Sequence, residues 1–185
     1  MKILSFRQAA PLYNIMEVGN KGGVGAFIKQ EPSMEVLPEG ALLRKGWPFF
    51  VPDWAEGFTA QLRWGVLITR LGKDIAPRFA PRYYEGLRLA IQFASSAGAT
   101  CFDGSVALSS LAEEGNVRLN EGATCPPDSA SKLFPLMVAH TSRYLTLRTG
   151  DLLLGPLLGS PLPICEGQPL TAYLDDRPLL HVRIK

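Results

Sequence analysis

The sequence predicts an α+β domain built mainly of β-strands, and three observations predict it. Glycine and proline are frequent, 18 and 15 in 185 residues, which favours many turns and short strands over long helices. Short apolar segments, several alternating with polar residues, recur along the whole chain. One stretch, residues 136–144, has the best helical pattern.

Taken in order, residues 1–6 are a first strand. Residues 19–25 are glycine-rich but lack the Lys-Ser/Thr ending of a phosphate-binding loop, so a flexible loop is expected. Ala26-Phe27-Ile28-Lys29 is a short strand ending in lysine, and Ala41-Leu42-Leu43-Arg44 is the next apolar segment. Residues 48–54 are aromatic, with prolines that favour extended backbone. In residues 61–70 the second half reads as a buried strand, while the first half alternates. Gln61 and Arg63 therefore share one face, and Leu62 and Trp64 the other. Lys73-Asp74 is a turn, and residues 76–84 hold one or two helical turns.

Residues 87–93 alternate again, with Leu87, Leu89, Ile91 and Phe93 opposite Arg88, Ala90 and Gln92. Residues 94–99 are a small-residue linker, and residues 101–108 turn into another strand. Glu113-Glu114-Gly115-Asn116 reads as a hairpin turn with Val117-Arg118-Leu119 returning. In the helix, Pro135 suits the first position, and Leu136, Met137, His140 and Tyr144 fall on one side. Leu152-Leu153-Leu154 resumes strand. A terminal hairpin joins residues 170–174 through residues 175–178 to the alternating Leu180, Val182 and Ile184.

The length suits one domain, residues 1–185, with a real core. A composition of 46% hydrophobic and 19% charged residues argues against disorder. The net charge of +2 is small and its cations are scattered, so no nucleic-acid partner is expected. Residues 1–7 lack a signal-peptide core, and Gly155 and Pro156 interrupt the apolar run at 152–158, so no membrane partner is expected. Cys101, Cys125 and Cys165 are odd in number without metal-ligand spacing, which fits reduced thiols and a cytoplasmic location.

Several segments together resemble the fumarylacetoacetate hydrolase family, in particular its small single-domain bacterial members. They are Met1-Lys2-Ile3, Glu17-Val18-Gly19-Asn20, Phe27-Ile28-Lys29, Pro48-Phe49-Phe50-Val51-Pro52-Asp53, Phe79-Ala80-Pro81-Arg82-Tyr83-Tyr84, Phe102-Asp103-Gly104-Ser105 and residues 146–155, in the family's order. The resemblance implies a rolled mixed β-sandwich with a few short helices, usually a homodimer. It implies Mg²⁺- or Mn²⁺-dependent hydrolysis, decarboxylation or tautomerisation of 2-oxo or 1,3-dicarbonyl acids.

Residue by residue, the resemblance fails at the chemistry. Gln61 and Arg63 stand where the family has its Glu-x-Glu metal ligands, and Gln92 where it has the ligand Asp. Ser96-Ala97 replace an Arg-Asp pair, and the helical insertion that follows is largely missing. Thr100 replaces a lysine, and the catalytic histidine falls at Asn14, leaving Lys29 as the main polar survivor. Mg²⁺ wants octahedral oxygen ligands, usually including carboxylates. Two amides cannot neutralise it, and a guanidinium near ~4 Å adds repulsion of several kcal/mol at a partly buried site. No metal or other cofactor is therefore expected, and with it no Lewis acid and no obvious general base.

Arg63 could attract a small organic acid, supported by Lys29, Gln61 and Gln92, though pairing with an acidic neighbour or reaching solvent is the plainer and preferred expectation. His140 is expected to be satisfied and partly buried, and His181 to lie at the surface. Cys101 is expected to be a small core residue, with Asp53 and Asp103 in turns or caps. Trp47, Phe49, Phe50 and Trp54 are expected in the core or a subunit interface. The leading expectation is a non-catalytic pseudoenzyme with a binding or assembly role, a small 2-oxo or dicarboxylic acid being the candidate ligand, as a homodimer or beside an active paralogue. The alternative is a metal-independent hydrolase, isomerase or decarboxylase.

Overall fold

The fold was taken from a computed structural model, which describes residues 1–6, 33–126 and 130–185. The strands are β1 (Lys2–Phe6), β2 (Met34–Pro38), β3 (Phe58–Leu67), β4 (Arg88–Ser95), β5 (Val106–Leu111), β6 (Val117–Leu119), β7 (Leu152–Ile164), β8 (Pro169–Leu174) and β9 (Arg177–Arg183). Among the described residues, the α-helix α1 (Ala130–Tyr144) precedes β7, and short 3₁₀ turns occupy Glu39–Ala41 and Pro77–Arg82. The expected α+β, mainly β class is what the chain adopts. The expected segments at 19–25 and 26–29 lie outside the described residues, whereas β2 is a strand that the residue pattern did not announce.

Six strands form one sheet in the order β2-β1-β7-β3-β4-β5, and three form a second in the order β6-β8-β9. The larger sheet is mixed: β1 and β7 run parallel, and its other neighbours are antiparallel. It is also rolled. In a flat sheet, β1 and β4 would stand roughly 14 Å apart, three strand spacings. Instead the Ser5 hydroxyl of β1 donates to Gln92 Oε1 of β4 at 3.2 Å.

Alternation in β3 and β4 sorts their side chains between two apolar clusters. Phe58, Ala60, Leu62, Trp64 and Val66, with Leu89, Ile91 and Phe93, join the main core. Phe49 is stacked on Phe93 at 3.8 Å between ring centroids. Helix α1 covers this core with Leu133, Phe134, Met137 and Val138. Ala90 lies in a smaller cluster with Ile3, Leu37, Val106, Leu152 and Leu154. That second face is where Gln61, Arg63 and Gln92 belong by alternation.

The structure differs from the sequence expectation at three places. Helix α1 begins at Ala130, so Pro135 lies inside it rather than at its first position. The start is stabilised from a distance: the Glu114 carboxylate accepts the backbone N–H of Ala130 at 2.7 Å and of Ser131 at 3.3 Å. An anion placed there satisfies orphan donors and opposes the helix dipole. The buried stripe consequently shifts, and Tyr144 is 49% exposed. Second, residues 113–116 are a crossover between sheets, since β5 pairs with β4 and β6 with β8. Asn116 is held there by Asp175, whose Oδ1 accepts its backbone N–H at 3.0 Å. Third, the core half of the expectation for the aromatic residues holds for Phe49 alone; Trp47, Phe50 and Trp54 are more than half exposed in the single chain, which agrees with the interface half.

The terminal hairpin forms as expected. Its turn is Asp175-Asp176, with φ of 45° and 65°, the left-handed pair that matches strand twist in a two-residue hairpin. The N-terminal strand is fixed by Asp151, 1% exposed at the mouth of β7. Its carboxylate accepts the backbone N–H of Lys2 at 3.0 Å and of Arg148 at 2.8 Å, and forms an ion pair with the Lys2 ammonium. Removing one member of a buried charge network leaves its donors unmatched. Asp151→Ala should lower unfolding free energy by about 3–5 kcal/mol in urea titration, and Asp151→Asn by less, because the amide keeps one acceptor.

Candidate functional site

Pairing of β3 with β4 sets Gln61 directly opposite Gln92, and Arg63 opposite Ala90. The three positions singled out in the sequence therefore meet on the inner face of the roll. Gln61 is half-buried, while Arg63 is 4% exposed and Gln92 fully enclosed. Ladder irregularities between β3 and β7 fall on both sides of Arg63, at Ala60/Leu62 and Arg63/Gly65. Such irregularities re-aim side chains locally.

The Arg63 guanidinium is committed to the protein's own backbone. Its Nη1 donates to the carbonyl oxygen of Phe6 at 2.7 Å and of Gly155 at 2.8 Å, and Nη2 donates to Gln61 Oε1 at 3.3 Å. One side chain on β3 thus ties the end of β1 to β7. The expectation that Arg63 reaches solvent is overturned. The roll closes around it, and the planar fork finds carbonyls on two neighbouring strands.

Gln92 accepts from Ser5, while its Nε2 has no hydrogen-bond partner among the described residues. Ser5 in turn sits opposite Glu35 on β2. The Glu35 carboxylate accepts the Thr100 hydroxyl at 2.6 Å. Thr100 therefore does join this neighbourhood, through Glu35 rather than through the glutamines. Sequence reasoning missed Ser5 and Glu35; the sole local signal is that both are polar positions in otherwise apolar strands. Lys29 and Asn14 lie outside the described residues.

The other candidates separate from this cluster. His140 is 8% exposed, edge-on to Phe6 at 6.3 Å and 5.2 Å from the Tyr144 ring, which agrees with a buried, satisfied histidine. His181 is exposed and shares a 2.9 Å hydrogen bond with Thr171. Asp53 and Asp103 are exposed turn residues. Cys101 is exposed, not a core residue, because it lies in the loop before the Phe102-Asp103 turn rather than on a strand. Cys125 and Cys165 are likewise free thiols, and burial raises the Cys125 pKa above the ordinary thiol value.

The described donor set does not fit Mg²⁺ or Mn²⁺. Among the described residues, no three His, Cys, Asp or Glu side chains group as a metal site. The positions that face one another on β3 and β4 offer neutral amides and a permanent cation. A hard divalent ion needs anionic oxygen, and Arg63 can neither supply it nor lose its proton. What the arrangement can do is hold strands together and present an amide donor at Gln92.

No protein-family model matches the sequence, and a search of curated proteins finds no match. Solved structures do match. A fumarylpyruvate hydrolase from Pseudomonas aeruginosa, solved with Mn²⁺ and pyruvate, is 16% identical, with TM-score 0.72, 99% of this chain covered and 88% of that one. A structure described as a fumarylacetoacetate hydrolase family protein from Yersinia pestis is 18% identical, with TM-score 0.74 and coverage of 100% and 92%. A 5-carboxymethyl-2-hydroxymuconate delta-isomerase from Mycobacterium smegmatis is 18% identical, with TM-score 0.72 and coverage of 99% and 78%. The chain therefore has the fold of the fumarylacetoacetate hydrolase family.

Proposed function

We propose that this chain is a non-catalytic variant of that fold, a binding or assembly protein in which a guanidinium does the structural work of a bound cation. The observation that carries this reading is Arg63 Nη1 bridging the carbonyls of Phe6 and Gly155 from a buried position. A divalent ion would cross-link strands through carboxylates; Arg63 cross-links them through backbone oxygens and needs no ion. Gln61 completes the replacement by accepting from Nη2 instead of ligating a metal.

Arg63 is engaged inward, so a ligand would rely on other donors. The Gln92 Nε2 supports a small 2-oxo or dicarboxylic acid as that ligand, since a buried N–H with no partner among the described residues favours an acceptor. The exposed Phe50 and Trp54 support assembly, with a second copy of the chain as the expected partner. No described helix is long and apolar enough to cross a membrane.

Metal analysis and turnover test the reading together. Dialysed protein titrated with Mn²⁺ should show no stoichiometric binding by calorimetry, and acylpyruvate hydrolysis and oxaloacetate decarboxylation should stay at background with Mn²⁺ present. One tight Mn²⁺ per chain with turnover would sink the proposal. Arg63→Met should leave two buried carbonyls unsatisfied and lower unfolding free energy by about 2–5 kcal/mol. A loss below about 0.5 kcal/mol, the size of an ordinary surface substitution, would remove the guanidinium as the tie.

A further inference from the structure

Away from Arg63, a cleft of about 240 Å³ opens between residues 43–47, β5 and β9. Its floor is apolar, built from Leu43, Ala107, Leu180 and Val182, which pack into the main core, and the exposed Arg44 and Lys45 form its rim. Among the described residues, no acidic side chain lines it. Among the described residues, neither Arg44 nor Lys45 has an ion-pair partner. The rim is held in place: the Arg44 guanidinium lies 5.1 Å from the Trp47 ring centroid, and Arg183 Nη2 donates to the Gly46 carbonyl at 3.5 Å. Two other polar side chains on the walls are already engaged. The Ser109 hydroxyl accepts the Leu89 N–H and donates to the Ser110 carbonyl, and His181 Nδ1 shares its hydrogen bond with Thr171.

An apolar floor under two cations that lack ion-pair partners among the described residues selects a molecule with matching halves. A carboxylate between Arg44 and Lys45 gains charge-assisted hydrogen bonds, and an apolar body on the floor leaves water. The volume lies below that of sites for drug-sized ligands, so the body is a single ring or a short chain.

We propose that this cleft binds a small amphipathic carboxylate, its charge held by Arg44 and Lys45 and its apolar body seated on Leu43, Leu180 and Val182. The site is separate from the Arg63 cluster and stands or falls independently of it.

The test is an NMR titration of ¹⁵N-labelled protein with benzoate, with benzyl alcohol and inorganic phosphate as half-ligands. Benzoate should shift the Trp47 indole N–H and the amides of residues 43–47 and 179–182 saturably. Benzyl alcohol and phosphate should each bind at least about tenfold more weakly. The Arg44→Ala/Lys45→Ala variant changes only exposed side chains, so it should keep the wild-type unfolding midpoint while losing about tenfold in benzoate affinity. Absence of saturable shifts, equal binding of benzyl alcohol, or undiminished benzoate binding by the variant would each overturn the proposal. So would sedimentation showing a wild-type dimer that the variant dissociates, because the cleft would then be filled by a second copy.

Discussion

One side chain donates in two directions across the rolled sheet and ties β1 to β7. Arg63 Nη1 reaches the carbonyl of Phe6 at the end of β1 and that of Gly155 in β7. A buried guanidinium is costly unless its donors are matched, and here the matching groups are backbone oxygens. The constraint runs both ways. The roll must bring β1 within reach of β3 and β4, and once it does, Ser5 also closes on Gln92. Gly155 sits where a Cβ would come within 3.4 Å of both Phe134 and the Trp64 carbonyl, so the strand carrying one acceptor packs closely against its surroundings.

The proposed loss of chemistry follows from charge rather than from shape. The fold is that of a Mn²⁺-bound hydrolase of known structure. The strand register that sets Gln61 opposite Gln92 would equally set two carboxylates opposite each other. With Gln61, Arg63 and Gln92 the face carries two amides and a cation, where paired carboxylates at the same register would carry negative charge. The fold does not depend on the sign of that face, because the main apolar core is built from the opposite faces of β3 and β4 and from α1.

Asp151 serves the same architecture from the other end of β1. It accepts two backbone N–H groups and pairs with the Lys2 ammonium, joining residues 149 positions apart in the chain. Together with Arg63 it brackets β1, one contact near each end. A five-residue strand whose sole parallel partner is β7 gains its position from these polar anchors as much as from Ile3 and Leu4 in the two apolar clusters.

Much of this was legible in the residues. Period-two alternation placed Gln61 and Arg63 on one face, placed Gln92 opposite Leu89, Ile91 and Phe93, and marked the terminal hairpin, because strand geometry is local and sends neighbours to opposite sides. The start of α1 was not legible, since its first N–H groups are capped by Glu114 from outside the helix. The parts played by Ser5 and Glu35, the crossover at residues 113–116 and the exposure of Cys101 were hidden for the same reason: they depend on which strands become neighbours. The sequence by itself determined the mainly-β class and the chemical character of the Gln61, Arg63 and Gln92 cluster. Only the tertiary structure decided what Arg63 touches, because a guanidinium finds its acceptors through the closure of the roll, which brings together carbonyls that no local pattern connects.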